Sequence, residues 1–262
     1  MIVIAHLSDV HLDLGPRSAE RTRAVLAHLE GLPYDLAAVL VTGDIADHGL
    51  PAEYEQAREL LQSRHPLLVC PGNHDDRAAF RRHFLGEPGP SAALVDQAPV
   101  DQGPVNQVLR GEGFTVALCD SSVPGEDHGL LEDDTLDWLS RVITDTPDGT
   151  PVLVGFHHPP VPLHAPYVDG IRQFGEERLA ALVERHPRIA GFLAGHAHTA
   201  AATTFAGRPL LVAPGVVSTI RLPWEQREHP EDHVHLDHPP ALAFHVLDGD
   251  GRITTHVRPV LG

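Results

Sequence analysis

Apolar residues are distributed along this chain in two recurring patterns. Short, nearly unbroken apolar runs occupy positions 2–6, 36–42, 66–70, 114–120, 151–156, 189–194, 209–213, 242–247 and 253–257. Runs of that length, bounded by Gly, Pro, Asp or Asn, predict β-strands. Between them, segments 20–29, 52–61, 78–84, 134–143 and 176–185 carry apolar residues every three to four positions, the period of a helix that buries one face. Strands alternating with helices predict an α/β protein. Several runs are continuous rather than alternating, so their strands are expected to be covered on both faces. The last two runs are joined by Asp248-Gly249-Asp250-Gly251, a D-G sequence that predicts a hairpin.

The first run gives way to His6, Ser8 and Asp9 without a basic leader or a small-residue cleavage site, so it reads as a buried strand rather than a signal peptide. No run approaches the ~20 apolar residues of a membrane-spanning helix, and membrane insertion is not expected. Nothing repeats at a fixed period and no compositional break divides the chain, so one domain is expected over 1–262. Two stretches break the pattern: 86–104, rich in Gly, Pro, Ala and Gln, and 222–240, which sets His229, His233, His235 and His238 among prolines and acids. Both are expected to be long loops flanking a functional site. Trp224 is the expected contact residue of the second, because an aromatic side chain in a polar loop needs cover.

Charge narrows the function. The formal net charge is −17, and all 19 basic residues are arginine. A chain without lysine cannot form a Schiff base or use a P-loop lysine, and its acidity disfavours polymeric nucleic acid and anionic membranes. Cys70 and Cys119 both lie in apolar runs and read as reduced core residues of a cytoplasmic protein. The 20 histidines outnumber the arginines, which directs attention to metal ligation and proton transfer.

In open α/β sheets ligands bind beyond the carboxyl ends of strands. The first run leads into Asp9-Val10-His11, where two-residue spacing on extended chain would turn both side chains to one side. The next leads into Gly43-Asp44, the third into Gly72-Asn73-His74-Asp75, another into His157-His158-Pro159-Pro160, and another into Gly195-His196-Ala197-His198. Each block alone has an ordinary explanation as a turn, a helix cap or a satisfied core histidine. Together they offer Asp9, His11, Asp44, Asn73, His196, His198 and one of His157 and His158. This nitrogen and oxygen set suits Fe, Mn, Zn or Co. It is too rich for one four-coordinate ion but fits two ions that share a carboxylate.

In this order, these blocks resemble the calcineurin-like metallophosphoesterase superfamily. Asp120-Ser121-Ser122-Val123-Pro124-Gly125, His128-Gly129, the Gly72 to Arg77 segment and Pro214-Gly215 look like its bacterial branch of class III cyclic-nucleotide phosphodiesterases and glycerophosphodiesterases. The resemblance implies a four-layer αββα fold, two mixed sheets packed as a sandwich and flanked by helices. It implies one ion on Asp9, His11, Asp44 and His198, and a second on Asp44, Asn73, His157 and His196. His157 takes precedence over His158 through the family register. His74 matches the histidine that binds phosphate oxygen or protonates the leaving alkoxide, which makes His74, Asp44 and Asn73 the expected catalytic residues.

The expected reaction is hydrolysis of a small anionic phosphodiester by in-line attack of a hydroxide held between the ions. Substrates of 3′,5′-cyclic nucleotide type rank ahead of glycerophosphodiesters, phosphomonoesters are a further alternative, and a non-catalytic binding scaffold is the remote one. The expected metals are Fe and Mn, with Zn or Co as alternatives. Asp47 and Asp75 are expected to orient ligand imidazoles, and Arg77 to make a structural ion pair. The 222–240 loop is expected to be a lid or a homodimer contact, or merely a solvated loop.

Overall fold

The computed structural model describes residues 1–86, 103–225 and 233–261. Its elements run β1 (Ile2–Leu7), α1 (Pro16–Glu30), β2 (Ala38–Thr42), α2 (Pro51–Leu60), β3 (Leu67–Cys70), α3 (Arg77–Ala79) with a π-helical turn (Phe80–Leu85), β4 (Gln107–Gly111), β5 (Phe114–Leu118), β6 (Gly129–Leu130) and α4 (Asp133–Asp145). They continue with β7 (Val152–Gly155), α5 (Pro166–Gly170), β8 (Gln173–Phe174), α6 (Glu176–Arg185), β9 (Ile189–Ala194), β10 (Ala201–Phe205), β11 (Arg208–Val212), β12 (Thr219–Ile220), a 3-10 turn (Pro223–Glu225), β13 (Val234–His235), β14 (Ala241–Leu247) and β15 (Ile253–Pro259).

Two mixed sheets carry the fold, in the orders β15-β14-β1-β2-β3 and β10-β11-β9-β7-β5-β4. Their continuous apolar runs follow from strands sandwiched on both sides. Ile4, Ala38, Leu40 and Leu68 point inward and pack against Val116, Leu118, Leu153 and Leu193 of the other sheet. The alternate residues Ala5, Leu7, Val39 and Val41 point outward onto Val25, Leu29 and Tyr54 of α1 and α2. On the far side, Val152, Val154 and Phe192 meet Trp138, Leu139, Leu179 and Leu182 of α4 and α6. These three apolar layers make the expected αββα sandwich.

The pattern missed both edges of the second sheet. Strands β4 and β10 lie outermost in their sheet. Thr203 and Thr204 of β10 are exposed, as is Arg110 of β4, so neither strand carries a continuous apolar run. Helix α1 begins at Pro16 rather than 20, because its first turn is polar and Pro stands at its start. The expected 78–84 helix is instead one α-helical turn, capped by Asp76 accepting from Ala79 N at 2.7 Å, followed by the π-helical turn. Within the expected 222–240 loop, β13 pairs antiparallel with β12. His229 lies outside the described residues, as does most of 86–104. Trp224 is 72% exposed, so among the described residues nothing supplies the expected cover.

One polar chain crosses the first sheet. His6 Nδ1 lies 3.0 Å from His245 Nε2, His6 Nε2 2.9 Å from Thr42 Oγ1, and His245 Nδ1 2.9 Å from Thr255 Oγ1. Burial holds both imidazoles below the ordinary value of 6.5, His245 at about 4. From pH 6.5 down to about 4 the unfolded chain therefore binds protons that the folded chain refuses, and stability falls as pH falls. Between pH 7 and 5, His245 alone is expected to account for a loss of about 2 kcal/mol. Urea unfolding of wild type and His245→Gln at both pH values checks this: the variant should lose less stability, and parallel losses would contradict it.

Candidate metal centre

The parallel strands β1, β2 and β3 of one sheet and β5, β7 and β9 of the other end in polar turns that converge. Past the strand ends the backbone is left-handed at Asp9 (φ 57°), His11 (φ 41°), Asp44 (φ 51°), His196 (φ 69°) and His198 (φ 49°). Non-glycine residues adopt this region at a cost of roughly 1–2 kcal/mol each, and such strain concentrates at functional sites. The two-residue spacings therefore do not act through an extended pleat. Asp9 and His11, like His196 and His198, are turned toward the site by successive left-handed turns. Gly43 (φ +86°) is needed for a second reason, since a Cβ there would lie 2.3 Å from His157 Nδ1. A Cβ on Gly72 would lie 2.2 Å from Asp44 Oδ1.

Asp44 sits between two groups of imidazoles. Its Oδ2 is 3.4 Å from His11 Nε2 and 3.3 Å from His157 Nε2, while its Oδ1 accepts from His74 N at 3.0 Å. On one side His11 Nε2 stands 3.1 Å from His198 Nε2, which is 3.4 Å from Asp9 Oδ1. On the other, His157 Nε2 is 3.2 Å from Asn73 Oδ1 and 3.1 Å from His196 Nδ1. All the residues expected from the sequence are thus brought into one cleft or into its floor. His158 bonds Ser121 Oγ through Nδ1 at 2.9 Å, although its ring also approaches His196, with centroids 4.6 Å apart.

Three of the inward imidazoles are aimed by a bond at the opposite side of the ring, and His196 is not, its Nε2 having no hydrogen-bond partner. His11 Nδ1 donates to Asp47 Oδ1 at 2.9 Å, His157 Nδ1 donates to the Thr42 carbonyl at 2.7 Å, and His198 Nδ1 shares a 2.7 Å hydrogen bond with Ser218 Oγ. Asp75 does something else: its carboxylate accepts from the backbone N–H groups of Ile45, Ala46 and Gly72 at 2.8–3.0 Å. It braces the two turns rather than orienting an imidazole. Ser218 and the Thr42 carbonyl were absent from the sequence reading. The signal for Ser218 was its place just beyond Pro214-Gly215; a backbone carbonyl leaves no signal.

The electrostatics are those of a site built for cations. Burial pushes the Asp9 carboxyl up to about 6 and the His198 imidazole down to about 3. Burial also disfavours charge on His157, but the adjacent Asp44 carboxylate outweighs it and raises His157 to about 9. The same pairing holds Asp44 well below the carboxylate range despite its burial. Both carboxylate oxygens of Asp9 and Nε2 of His196 are buried without a hydrogen-bond partner, an arrangement that costs several kcal/mol unless a counter-charge is present. Asp9, His11, Asp44 and His198 each bring one ligand atom within 4.8 Å of the others. Two nitrogens on one ion at about 2.1 Å stand roughly 3.0–3.4 Å apart, the separation of both close imidazole pairs. The residues present fit metal ions.

The sequence pattern of the family described as calcineurin-like phosphoesterase matches residues 2–200. The chain belongs to that family. This phosphoesterase is 32% identical over 231 residues to the glycerophosphodiester phosphodiesterase GpdQ of Enterobacter lignolyticus, covering 84% of the chain and 79% of the relative. It is 33% identical over 224 residues to the cAMP/cGMP dual specificity phosphodiesterase MT0825 of Mycobacterium tuberculosis, covering 80% of the chain but just under two thirds (66%) of that relative. Its fold resembles that of a dimetal phosphatase from Danio rerio, with a TM-score of 0.69 and 17% identity over 99% of this chain and 96% of the other. Among the described residues no helix is long and apolar enough to cross a membrane.

Proposed function

We propose that the chain is a dinuclear metal-dependent phosphodiesterase that hydrolyses small phosphodiesters, with 3′,5′-cyclic nucleotides ahead of glycerophosphodiesters. The observation that carries this reading is Asp44, buried between two imidazole groups, beside an Asp9 carboxylate whose oxygens are buried without a hydrogen-bond partner. Asp9, His11, Asp44 and His198 would hold one ion, and Asp44, Asn73, His157 and His196 the other. Fe and Mn are the preferred metals, with Zn and Co as alternatives, since the donors are nitrogen and oxygen without thiolate. Bound there, two such ions supply an acidified water as nucleophile and positive charge against the phosphoryl oxygens.

The chain's own groups complete the reaction. His74 Nδ1 donates to the Asp47 carbonyl at 2.8 Å, which fixes the ring and leaves Nε2 at the cleft. In its protonated form that nitrogen can deliver a proton to the departing alkoxide. Asp47 therefore serves twice, orienting His11 through its carboxylate and His74 through its carbonyl. Asp47→Ala is expected to weaken metal affinity about 10–100-fold, read by competition with a chelating dye; unchanged affinity would contradict the orienting role.

We read 1–262 as one catalytic domain. Cys70 and Cys119, buried and unpaired, support a reducing, cytoplasmic compartment. Exposed Trp224 and Leu236 support a lid or homodimer contact in 222–240, and a net charge of −17 disfavours polymeric nucleic acid as substrate. Purified protein is expected to hydrolyse cyclic AMP, glycerophosphodiesters and bis-nitrophenyl phosphate with added Mn, and to lose that activity with chelator. Absence of metal-dependent turnover on all of them would overturn the proposal, and faster monoester hydrolysis would move it to a phosphatase.

A further inference from the structure

The cleft has two unlike walls. One is the polar cluster, including His11, Asp44, Asn73 and His74; the other is formed by Tyr167, Val168, Ile171, Ile220, His233 and Val234. Tyr167 comes from α5 and His233 from the residue preceding β13, yet their rings stack with centroids 4.6 Å apart and planes inclined by 29°. Val168 and Ile220 are buried, which gives the pair a firm base. Tyr167 itself remains 59% exposed, so an aromatic surface stays open at the mouth of a site whose floor is polar. Neither arginine nor carboxylate belongs to this wall among the described residues.

A phosphodiester seated with its phosphorus at the polar wall must extend an ester substituent out of the cleft. The opposite wall offers that substituent dispersion contact and a π face, but few hydrogen-bonding groups and no counter-charge. A planar, uncharged heterocycle gains from such a surface, because bases stack on aromatic side chains whatever their edge pattern. A polyol such as glycerol would give up water there and receive little in return.

We propose that Tyr167 and His233 form a stacking platform for the planar base of the substrate, so that this wall selects nucleoside phosphodiesters over polyol ones. The proposal rests on the reading of the polar wall as a phosphodiester centre. Its test separates the two. The Mn-loaded full chain and its Tyr167→Ala and Tyr167→Phe variants are assayed on cyclic AMP and glycerophosphoglycerol, a diester with only polyol substituents, and titrated calorimetrically with AMP and glycerol phosphate.

Tyr167→Ala is expected to raise KM for cyclic AMP and weaken AMP binding about tenfold. It should leave glycerophosphoglycerol turnover and glycerol phosphate binding within about twofold of wild type, and Tyr167→Phe should restore the nucleotide values. Equal losses on both substrate types, or no loss on AMP, would overturn the platform while leaving the hydrolase reading intact. If AMP binding depends on Tyr167 but no diester is hydrolysed, the platform stands and the hydrolase reading fails.

Discussion

Asp44→Asn is expected to lower kcat/KM for a phosphodiester about a thousandfold, equivalent to about 4 kcal/mol of transition-state stabilisation. The substitution keeps the size of the side chain and can still accept from His74 N, which bonds Asp44 Oδ1 at 3.0 Å. What it removes is the charge that lies 3.4 Å from His11 and 3.3 Å from His157. Among the described residues no other carboxylate is ion-paired with an imidazole of each group, so the two metal positions should weaken together rather than one alone. Metal content by mass spectrometry, measured beside kcat/KM, distinguishes this from a slow but fully loaded enzyme. Retention of both ions with near wild-type turnover would mean that Asp44 does not bridge.

The parts of this architecture visible in the sequence are those where burial constrains both faces of a strand. β2 is buried along its whole length, and a run such as Ala38–Thr42 can hardly be anything else. Edge strands escape that constraint, which is why β10, with Thr203 and Thr204 in solvent, left no apolar run. Apolar runs alone do not separate two stacked sheets from one doubly wound sheet, because each gives strands covered twice. Only the family resemblance supplied that choice.

The site was legible for a different reason. Carboxylate, carboxamide and imidazole groups recur just after apolar runs, and the fold brings parallel strand ends together. The residues named from the sequence lie together, but by another geometry than their spacing suggested: Asp9 and His11 reach one cluster through left-handed backbone, not through strand alternation. Asp75 was misread because a carboxylate near ligands resembles an orienting group whichever neighbours it bonds. Three backbone N–H groups claim it, and burial leaves its carboxyl raised to about 6.

Arg77→Ala is expected to destabilise the protein by about 3–5 kcal/mol, the cost of leaving a buried charge without its partner, and to lower Tm by roughly 10 °C. Arg77 Nε lies 2.8 Å from Asp120 Oδ2, with the two side chains 5% and 0% exposed. The same guanidinium donates to Glu132 Oε1 at 2.8 Å and to the Ser122 carbonyl at 2.6 Å. It thereby ties the start of α3, three residues after His74, to the turn after β5 and to the residue preceding α4. Asp120 cannot simply be removed as well, because its carboxylate also accepts from Val105 N, Ser122 N and Ser122 Oγ. Asp120→Asn keeps an acceptor there and discards the charge. The double variant Arg77→Ala with Asp120→Asn should therefore recover part of the loss, and urea and thermal unfolding of both variants check this. A single variant within about 1 kcal/mol of wild type would place the pair with exposed ion pairs, which contribute that little. A larger loss without recovery would assign the effect to the Ser122 and Glu132 contacts instead. Arg77 is kept from the reacting atoms by this burial, so its kinetic effect should stay well below that of Asp44→Asn even where its effect on stability is the greater.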